Sequence, residues 1–191
     1  MDALGLAEHL EHPHGRGVVP AGASTGTAGG AICGDLIRID LRVEGDLVAA
    51  AGFSASGCGA AQAAASAAAY LVEGDSIFDA ARVGSAAIAA ELGGLSVGKL
   101  HAADLAGDAL ASALGAAVAA TEPSPSTFGG TLVAMSGGVD SAVAALLVGE
   151  GAVGVTLELW RDPDNDASAS CCSASAVRAA RAVAHGLGMP H

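Results

Sequence analysis

The chain has 191 residues, 52% of them hydrophobic, much of that alanine, and only 3% aromatic, so it has room for one domain or two small ones with cores of small side chains. Eight Lys and Arg against twenty Asp and Glu give a net charge of −12, which excludes a clustered basic nucleic-acid surface on this segment. Lys99 is the sole lysine.

Met1–Leu10 carries Asp2 and Glu8 and no basic stretch, so no secretory signal is read there. Four cysteines without such a signal place the chain in a reducing, cytoplasmic compartment. Ala3–Leu10 predicts a short helix that Pro13 stops. The spacing of His9, His12 and His14 fits no single helix face, which favours a polar loop over a ligand cluster. Val18–Gly30, rich in Gly, Ser and Thr, predicts a mobile loop.

In Leu36–Val43, Ile37, Ile39, Leu41 and Val43 alternate with Arg38, Asp40 and Arg42, the signature of a half-buried strand. Gly45-Asp46 turns the chain, and Leu47–Ala55 returns as the second strand of an antiparallel hairpin. Leu47–Val72 is uncharged and long enough to span a bilayer. Gly57-Cys58-Gly59 interrupts it, so a strand followed by the helix Ala60–Val72 is expected, with no membrane. Cys58 then precedes a helix N-terminus, a position that favours thiolate. Cys33 and Asp35, two apart in an extended segment, point to one side. Ser76-Ile77-Phe78-Asp79 reads as a capping box. Short helices at Ile77–Arg82 and Ala86–Leu92 follow, and His101 leads into a helix over Ala103–Ala120.

His9-Leu10-Glu11-His12-Pro13, Gly30-Ala31-Ile32-Cys33-Gly34-Asp35, Gly57-Cys58-Gly59-Ala60 and Lys99-Leu100-His101 together resemble IscU/NifU-type iron–sulfur cluster scaffolds, over roughly Leu6–Ala119. The resemblance implies an α+β domain, an antiparallel sheet with helices on one side. It also implies that Cys33 and Cys58 are metal or cluster ligands, Asp35 a conditional ligand and His101 a further one, with a cysteine desulfurase as sulfur donor. The implied cargo is a [2Fe-2S] cluster or Zn2+; thiolate and imidazole suit iron and zinc, and one carboxylate keeps a site exchangeable. The family's third cysteine follows the histidine, where this chain has Ala102, and Leu95–Lys99 lacks the proline pair of the IscU branch. Four ligands remain, enough for tetrahedral zinc or a mixed-ligand cluster. A degenerate scaffold kept as a docking module is the alternative.

Thr121–Gly130, with two prolines and a closing Gly-Gly, is a linker by composition and separates residues 1–120 from 131–191. Beyond it, Leu132–Met135 predicts a buried strand, Ser136-Gly137-Gly138 a tight turn, and Asp140-Ser141 the opening of an apolar helix, Ala142–Val148. Strand, glycine turn and helix N-terminus make a phosphate cradle. No Walker A pattern is present. Val153–Trp160 predicts a second strand, Arg161–Ser170 a polar loop, and Ala174–Leu187 a helix.

Ser136-Gly137-Gly138-Val139-Asp140-Ser141 resembles the pyrophosphate loop of ATP pyrophosphatases. With the elements after it, the stretch from about Thr131 to His191 resembles the start of MnmA/TrmU-type tRNA 2-thiouridylases. This implies a truncated PP-loop domain, of the adenine nucleotide alpha hydrolase-like α/β class with a parallel sheet. Ala134, Met135, Ser136, Gly137, Gly138, Val139, Asp140 and Ser141 would surround the ATP phosphates, Asp140 acting through Mg2+, and the backbone near Leu157 would meet adenine. The family adenylates the wobble uridine of tRNA at its C2 carbonyl, and a persulfide sulfur displaces AMP. Cys171 and Cys172 lie in the loop before the last helix, whereas the family's working cysteines lie further on. The chain alone is therefore expected to be inactive, with tRNA held by missing C-terminal parts and no DNA partner.

The combined expectation is a sulfur-trafficking fusion: a metal or cluster scaffold tethered to a tRNA-uridine 2-sulfurtransferase, raising its effective concentration there. Two readings stay beside it. One is a cluster scaffold carrying an inactive PP-loop fragment. The other is a docking domain, in which Cys33 and Cys58 are replaceable by serine without consequence.

Overall fold

The alternation of Ile37, Ile39 and Leu41 with polar neighbours decides the first sheet, because all three side chains are fully buried. The computed structural model describes residues 5–30, 34–120, 130–149, 151–157 and 173–191. They fall in two units, Met1–Ser124 and Pro125–His191.

The first unit opens with α1 (Gly5–Glu11) and then forms an antiparallel sheet in the order β1 (Ser24–Gly29), β2 (Leu36–Glu44), β3 (Leu47–Ser56). Helices α2 (Gly59–Val72), α3 (Ile77–Ala80), α4 (Ser85–Glu91) and α5 (Leu100–Ala120) follow, with a single 3-10 turn at Val97–Lys99. Ile39 pairs with Phe53 on one side and Gly26 on the other, so the three share a face. Helices α2 and α5 cover that face with buried alanines, among them Ala61, Ala64, Ala68, Ala106, Ala109 and Ala113. Small side chains let the layers approach closely. A Cβ on Gly26 would stand 2.1 Å from the Ala109 carbonyl oxygen and 2.2 Å from the Ala113 nitrogen, so β1 rests on the backbone of α5.

This corrects the loop expected over Val18–Gly30. Ser24–Gly29 is a strand in register with β2 from Ser24↔Leu41 to Gly29↔Leu36. It buries glycine rather than a large apolar side chain, so its sequence lacks the usual alternating signal. On the outer face, Asp40 is nearly fully buried. Arg38 Nε donates to both its oxygens at 3.0 and 2.9 Å, and Thr25 Oγ1 donates at 2.5 Å. The hydrogen bonds to Asp40 and its charge in turn hold the Arg38 guanidinium above its ordinary pKa.

The uncharged stretch Leu47–Val72 is β3 and α2, as its Gly-Cys-Gly break predicts. Among the described residues, Val97–Ala120 is long and apolar enough to cross a membrane, and half of its apolar window is buried inside the unit, as befits a core helix. Helix α5 begins at Leu100, three residues earlier than the sequence pattern indicates, so His101 lies in its first turn.

In the second unit β4 (Thr131–Ala134) pairs in parallel with β5 (Ala152–Val155), from Thr131↔Ala152 to Ala134↔Val155. Helices α6 (Val139–Val148) and α7 (Ala174–Gly186) supply Ala145, Ala180 and Ala184 to a small core with Val133, Met135 and Met189. The second strand ends at Val155 rather than continuing toward Trp160; of the expected remainder, residues 158–160 lie outside the described part. Thr156 turns inward there, its Oγ1 donating to the Met135 carbonyl at 2.8 Å and lying 2.9 Å from His191 Nε2. Burial, helped by the charges of Arg181 and His185, pushes the His191 imidazole down to a pKa of about 4.

Candidate metal centre and nucleotide loop

Three elements of the first unit meet at one point. Asp35 immediately precedes β2, Cys58 caps the N-terminus of α2, and His101 sits in the first turn of α5. Their ligand atoms all lie within 4.8 Å of one another. Cys58 Sγ is 3.4 Å from Asp35 Oδ2, and His101 Nε2 is 3.1 Å from the same oxygen. Tetrahedral coordination at metal–ligand distances of about 2.0–2.3 Å separates ligand atoms by about 3.3–3.8 Å. The three donors thus fit a single transition-metal ion with small adjustments.

Asp35 is 5% exposed and its carboxylate is fully engaged. Oδ1 accepts the Cys58 backbone N–H at 2.9 Å, while Oδ2 faces the Cys58 thiol and His101. The Cys58 N–H bond is the largest cause holding the Asp35 carboxyl below the ordinary carboxylate range. Burial opposes it, and the His101 and Cys58 side chains reinforce it. Stability drawn from this carboxylate is present above its unfolded value of 3.8 and is lost as pH falls through the lowered folded value.

His101 Nδ1 lies 3.1 Å from the Gly98 carbonyl oxygen, which only accepts. The Nδ1–H therefore donates to Gly98, an arrangement that leaves Nε2 as the metal-facing nitrogen.

Gly57 shapes this site without a side chain. Its φ is +124°, and a Cβ there would fall 1.9 Å from Asp35 Oδ1. The bare backbone lets the carboxylate reach the Cys58 N–H. Sequence reasoning recognised Gly57 as a break between strand and helix and missed this contact. The only available signal was a glycine directly before a candidate ligand.

Of the four expected ligands, the structure brings together Asp35, Cys58 and His101, while Cys33 lies outside the described residues. Ala102 is fully buried, and its methyl group offers no donor in place of the family's third cysteine.

The histidines near the N-terminus are not simply a polar loop. His9 is 1% exposed, with Nδ1 2.9 Å from Ser66 Oγ, and the His14 backbone N–H donates to the same hydroxyl at 2.8 Å. Both imidazoles pack edge-on against Tyr70, at 5.8 and 5.7 Å. Helix periodicity alone misses this, because His14 joins through a loop. The lone Ser66 in the alanine run of α2 is the residue that hints at it.

In the second unit, parallel pairing puts the C-terminal ends of β4 and β5 at one edge, where Ser136–Gly138 and Leu157 follow. Gly138 caps α6 with no side-chain bond to the first amides, so those amides are open to an anion. Serine hydroxyls tie the loop together: Ser136 N–H donates to Ser141 Oγ at 3.2 Å, and Ser141 Oγ donates to Gly138 O at 3.0 Å. Gly137 has φ +79°, and a Cβ there would lie 2.5 Å from the Ala176 carbonyl oxygen, so only glycine lets the loop pass beneath α7. Ala134, Val139, Asp140 and Leu157 are exposed along this edge, Ser141 is half-buried, and Met135 is buried beneath it. Cys171 and Cys172 lie outside the described residues.

Comparison with known proteins agrees with this division. The NifU-like N terminal domain family matches residues 5–121, and the tRNA methyl transferase HUP domain family matches residues 130–191. A bifunctional protein NifU/MnmA of Rubrobacter xylanophilus is 45% identical over 97% of this chain and 41% of its own length. The iron-sulfur cluster assembly scaffold protein IscU 1 of Archaeoglobus fulgidus is 35% identical, over 56% of this chain and 70% of the relative. A tRNA-specific 2-thiouridylase MnmA of Heliobacterium modesticaldum is 55% identical, over 31% of this chain and 17% of the relative. The chain thus spans less than half of the bifunctional relative and a small part of the thiouridylase. With α2 and α5 carrying Cys58 and His101 onto an antiparallel sheet, the chain belongs to the NifU-like N-terminal domain family, and its second unit is similar to the tRNA methyl transferase HUP domain.

Proposed function

We propose that the first unit carries a transition metal or an iron–sulfur cluster as cargo on Asp35, Cys58 and His101, with Cys33 as the fourth ligand. The convergence of a thiolate, a carboxylate and an imidazole from three separate elements carries this reading. With Ala102 in place of a third cysteine, the sulfur ligands reduce to two. That donor set favours zinc or a labile mixed-ligand cluster over a fully thiolate-held one. A cysteine desulfurase is the fitting sulfur donor, and the cytoplasm the fitting compartment, for a domain that keeps thiols reduced.

The test is metal and acid-labile sulfide per chain after anaerobic purification, for the wild type and Cys58→Ser. Iron with sulfide, or zinc alone, is expected in the wild type and expected to be lost in the variant. Equal metal in both, or none in either, overturns the reading.

For the second unit we infer an adenine-nucleotide site on Ala134–Ser141 and Leu157, with Asp140 acting through Mg2+. The uncapped α6 N-terminus behind Ser136-Gly137-Gly138 supports it. The activity this fits is tRNA-uridine 2-sulfurtransfer, of which this unit would supply the nucleotide-binding part. In that reaction the C2 oxygen of uridine attacks the ATP α-phosphorus and pyrophosphate leaves. The terminal sulfur of a protein persulfide would then attack C2 and AMP depart with the oxygen, and a second cysteine thiol would attack the inner sulfur, breaking the S–S bond and leaving a disulfide. Saturable binding of ATP with Mg2+ to the chain, measured by equilibrium dialysis, is expected for the wild type and expected to be lost in Gly137→Ala. No saturable binding by the wild type sinks this half.

A further inference from the structure

Helix α1 is held in place mainly by polar contacts. It has seven residues, too few to be stable alone, and His9 is its only buried side chain. Leu6 and Leu10 remain 36% and 37% exposed. One backbone bond, from the Leu6 N–H to the Leu92 carbonyl at 3.1 Å, ties its first turn to the end of α4.

Beside the ring contacts of His9 and His14 with Tyr70, and the backbone bonds of Gly15 and Gly17 to Phe53 further along, the attachment runs through one hydroxyl. Ser66 Oγ, fully buried on α2, meets His9 Nδ1 at 2.9 Å and accepts the His14 N–H at 2.8 Å. It therefore pins both the helix and the loop after it. His9 Nε2 stands 3.5 Å from Glu91 Oε1, without a formed hydrogen bond. His14 Nε2 stands 3.3 Å from Glu73 Oε2, which also accepts the Ala51 N–H at 2.9 Å.

What this latch holds down is informative. The two methyl groups of Leu10 lie 3.7 and 3.8 Å from where a Cβ on Gly59 would be. Gly59 is the first residue of α2 and follows Cys58 directly. The latch thus presses an apolar side chain onto the helix end that presents the Cys58 thiol. Buried apolar area normally fixes a helix to its domain, and here a shared hydroxyl adds to the part-buried Leu6 and Leu10.

We propose that α1 is a strap over the Cys58 end of α2, released as a unit when the Ser66 latch opens, and that its release sets the access of reagents to the Cys58 thiol. The strap opens as far as His14 without unfolding the sheet, because the latch lies ahead of Gly15 and Gly17, whose backbone bonds to Phe53 stay on β3. Removing the latch hydroxyl deletes two hydrogen bonds, which raises the open population roughly tenfold or more. The proposal concerns the thiol that the metal reading also uses. Its readout is a rate of thiol modification rather than metal content, so the two can fail separately.

The test uses the full metal-free chain and three proteins: wild type, Ser66→Ala and Leu10→Ala. Amide hydrogen exchange is followed by mass spectrometry at residues 5–14 and in β2. Alkylation of Cys58 by iodoacetamide is followed on its own peptide, which separates it from the other cysteines. In Ser66→Ala, exchange at residues 5–14 and Cys58 alkylation are expected to rise together by roughly tenfold, with β2 exchange unchanged. In Leu10→Ala, alkylation is expected to rise without the Ser66 latch being touched. Unchanged alkylation in Ser66→Ala overturns the strap. So does a rise in exchange shared equally by β2, which marks global unfolding.

Discussion

Gly57→Ala is expected to weaken zinc binding by about 10–100-fold while leaving the helices of the first unit formed. The added methyl meets the site in two ways. It places a side chain at φ +124°, a conformation that strains any residue except glycine, and it falls 1.9 Å from Asp35 Oδ1. Asp35 has to swing off the Cys58 N–H, and with that bond goes the main cause of its lowered pKa. A chelator-competition titration measures the loss. Gly115→Ala serves as the comparison, because a Cβ there meets nothing within 4 Å. If Gly57→Ala and Gly115→Ala bind zinc alike, the Asp35–Cys58 contact has no part in holding metal.

The second large effect belongs to Gly26→Val. Its Cβ would lie 2.1 Å from one backbone atom of α5 and 2.2 Å from another, and a helix backbone cannot yield as a flexible side chain can. The strand has to lift away from α5, which opens a gap over Ile39 and Phe53 as well. Overpacking of this kind costs about 3 kcal/mol or more. For a domain of this size the melting temperature is expected to fall by roughly 10 °C or more. Thermal unfolding followed by far-UV circular dichroism is the check, and a midpoint within about 2 °C of wild type would contradict close strand-on-helix packing. Metal affinity is expected to fall with it, since α5 also carries His101.

These glycines show where sequence reasoning reaches its limit. The hairpin of β2 and β3 was legible because branched side chains alternate with charges, a pattern that only a half-buried strand explains. The stretch from Met135 to Ser141 was legible because a glycine turn between two apolar runs has one geometric meaning. Strand β1 was not legible, since Ser24–Gly29 contributes to the core by having almost no side chain, and composition scores that as a loop. His9 was misread for a related reason: its partners, Ser66 and Glu91, are 57 and 82 positions away in the sequence, beyond any local periodicity. Asp35, Cys58 and His101 were singled out by residue type and resemblance, but nothing in the sequence indicated that one carboxylate would hold the other two.

That last arrangement bears on how fast the site exchanges its contents. Both Asp35 oxygens have partners within the fold, and His101 Nε2 points at Asp35. An arriving ion therefore enters a closed ring of contacts, and each ligand has to leave an existing partner before it can bind. Loading becomes a substitution with its own barrier, and exchange at such a site is paced by how readily one carboxylate changes partners.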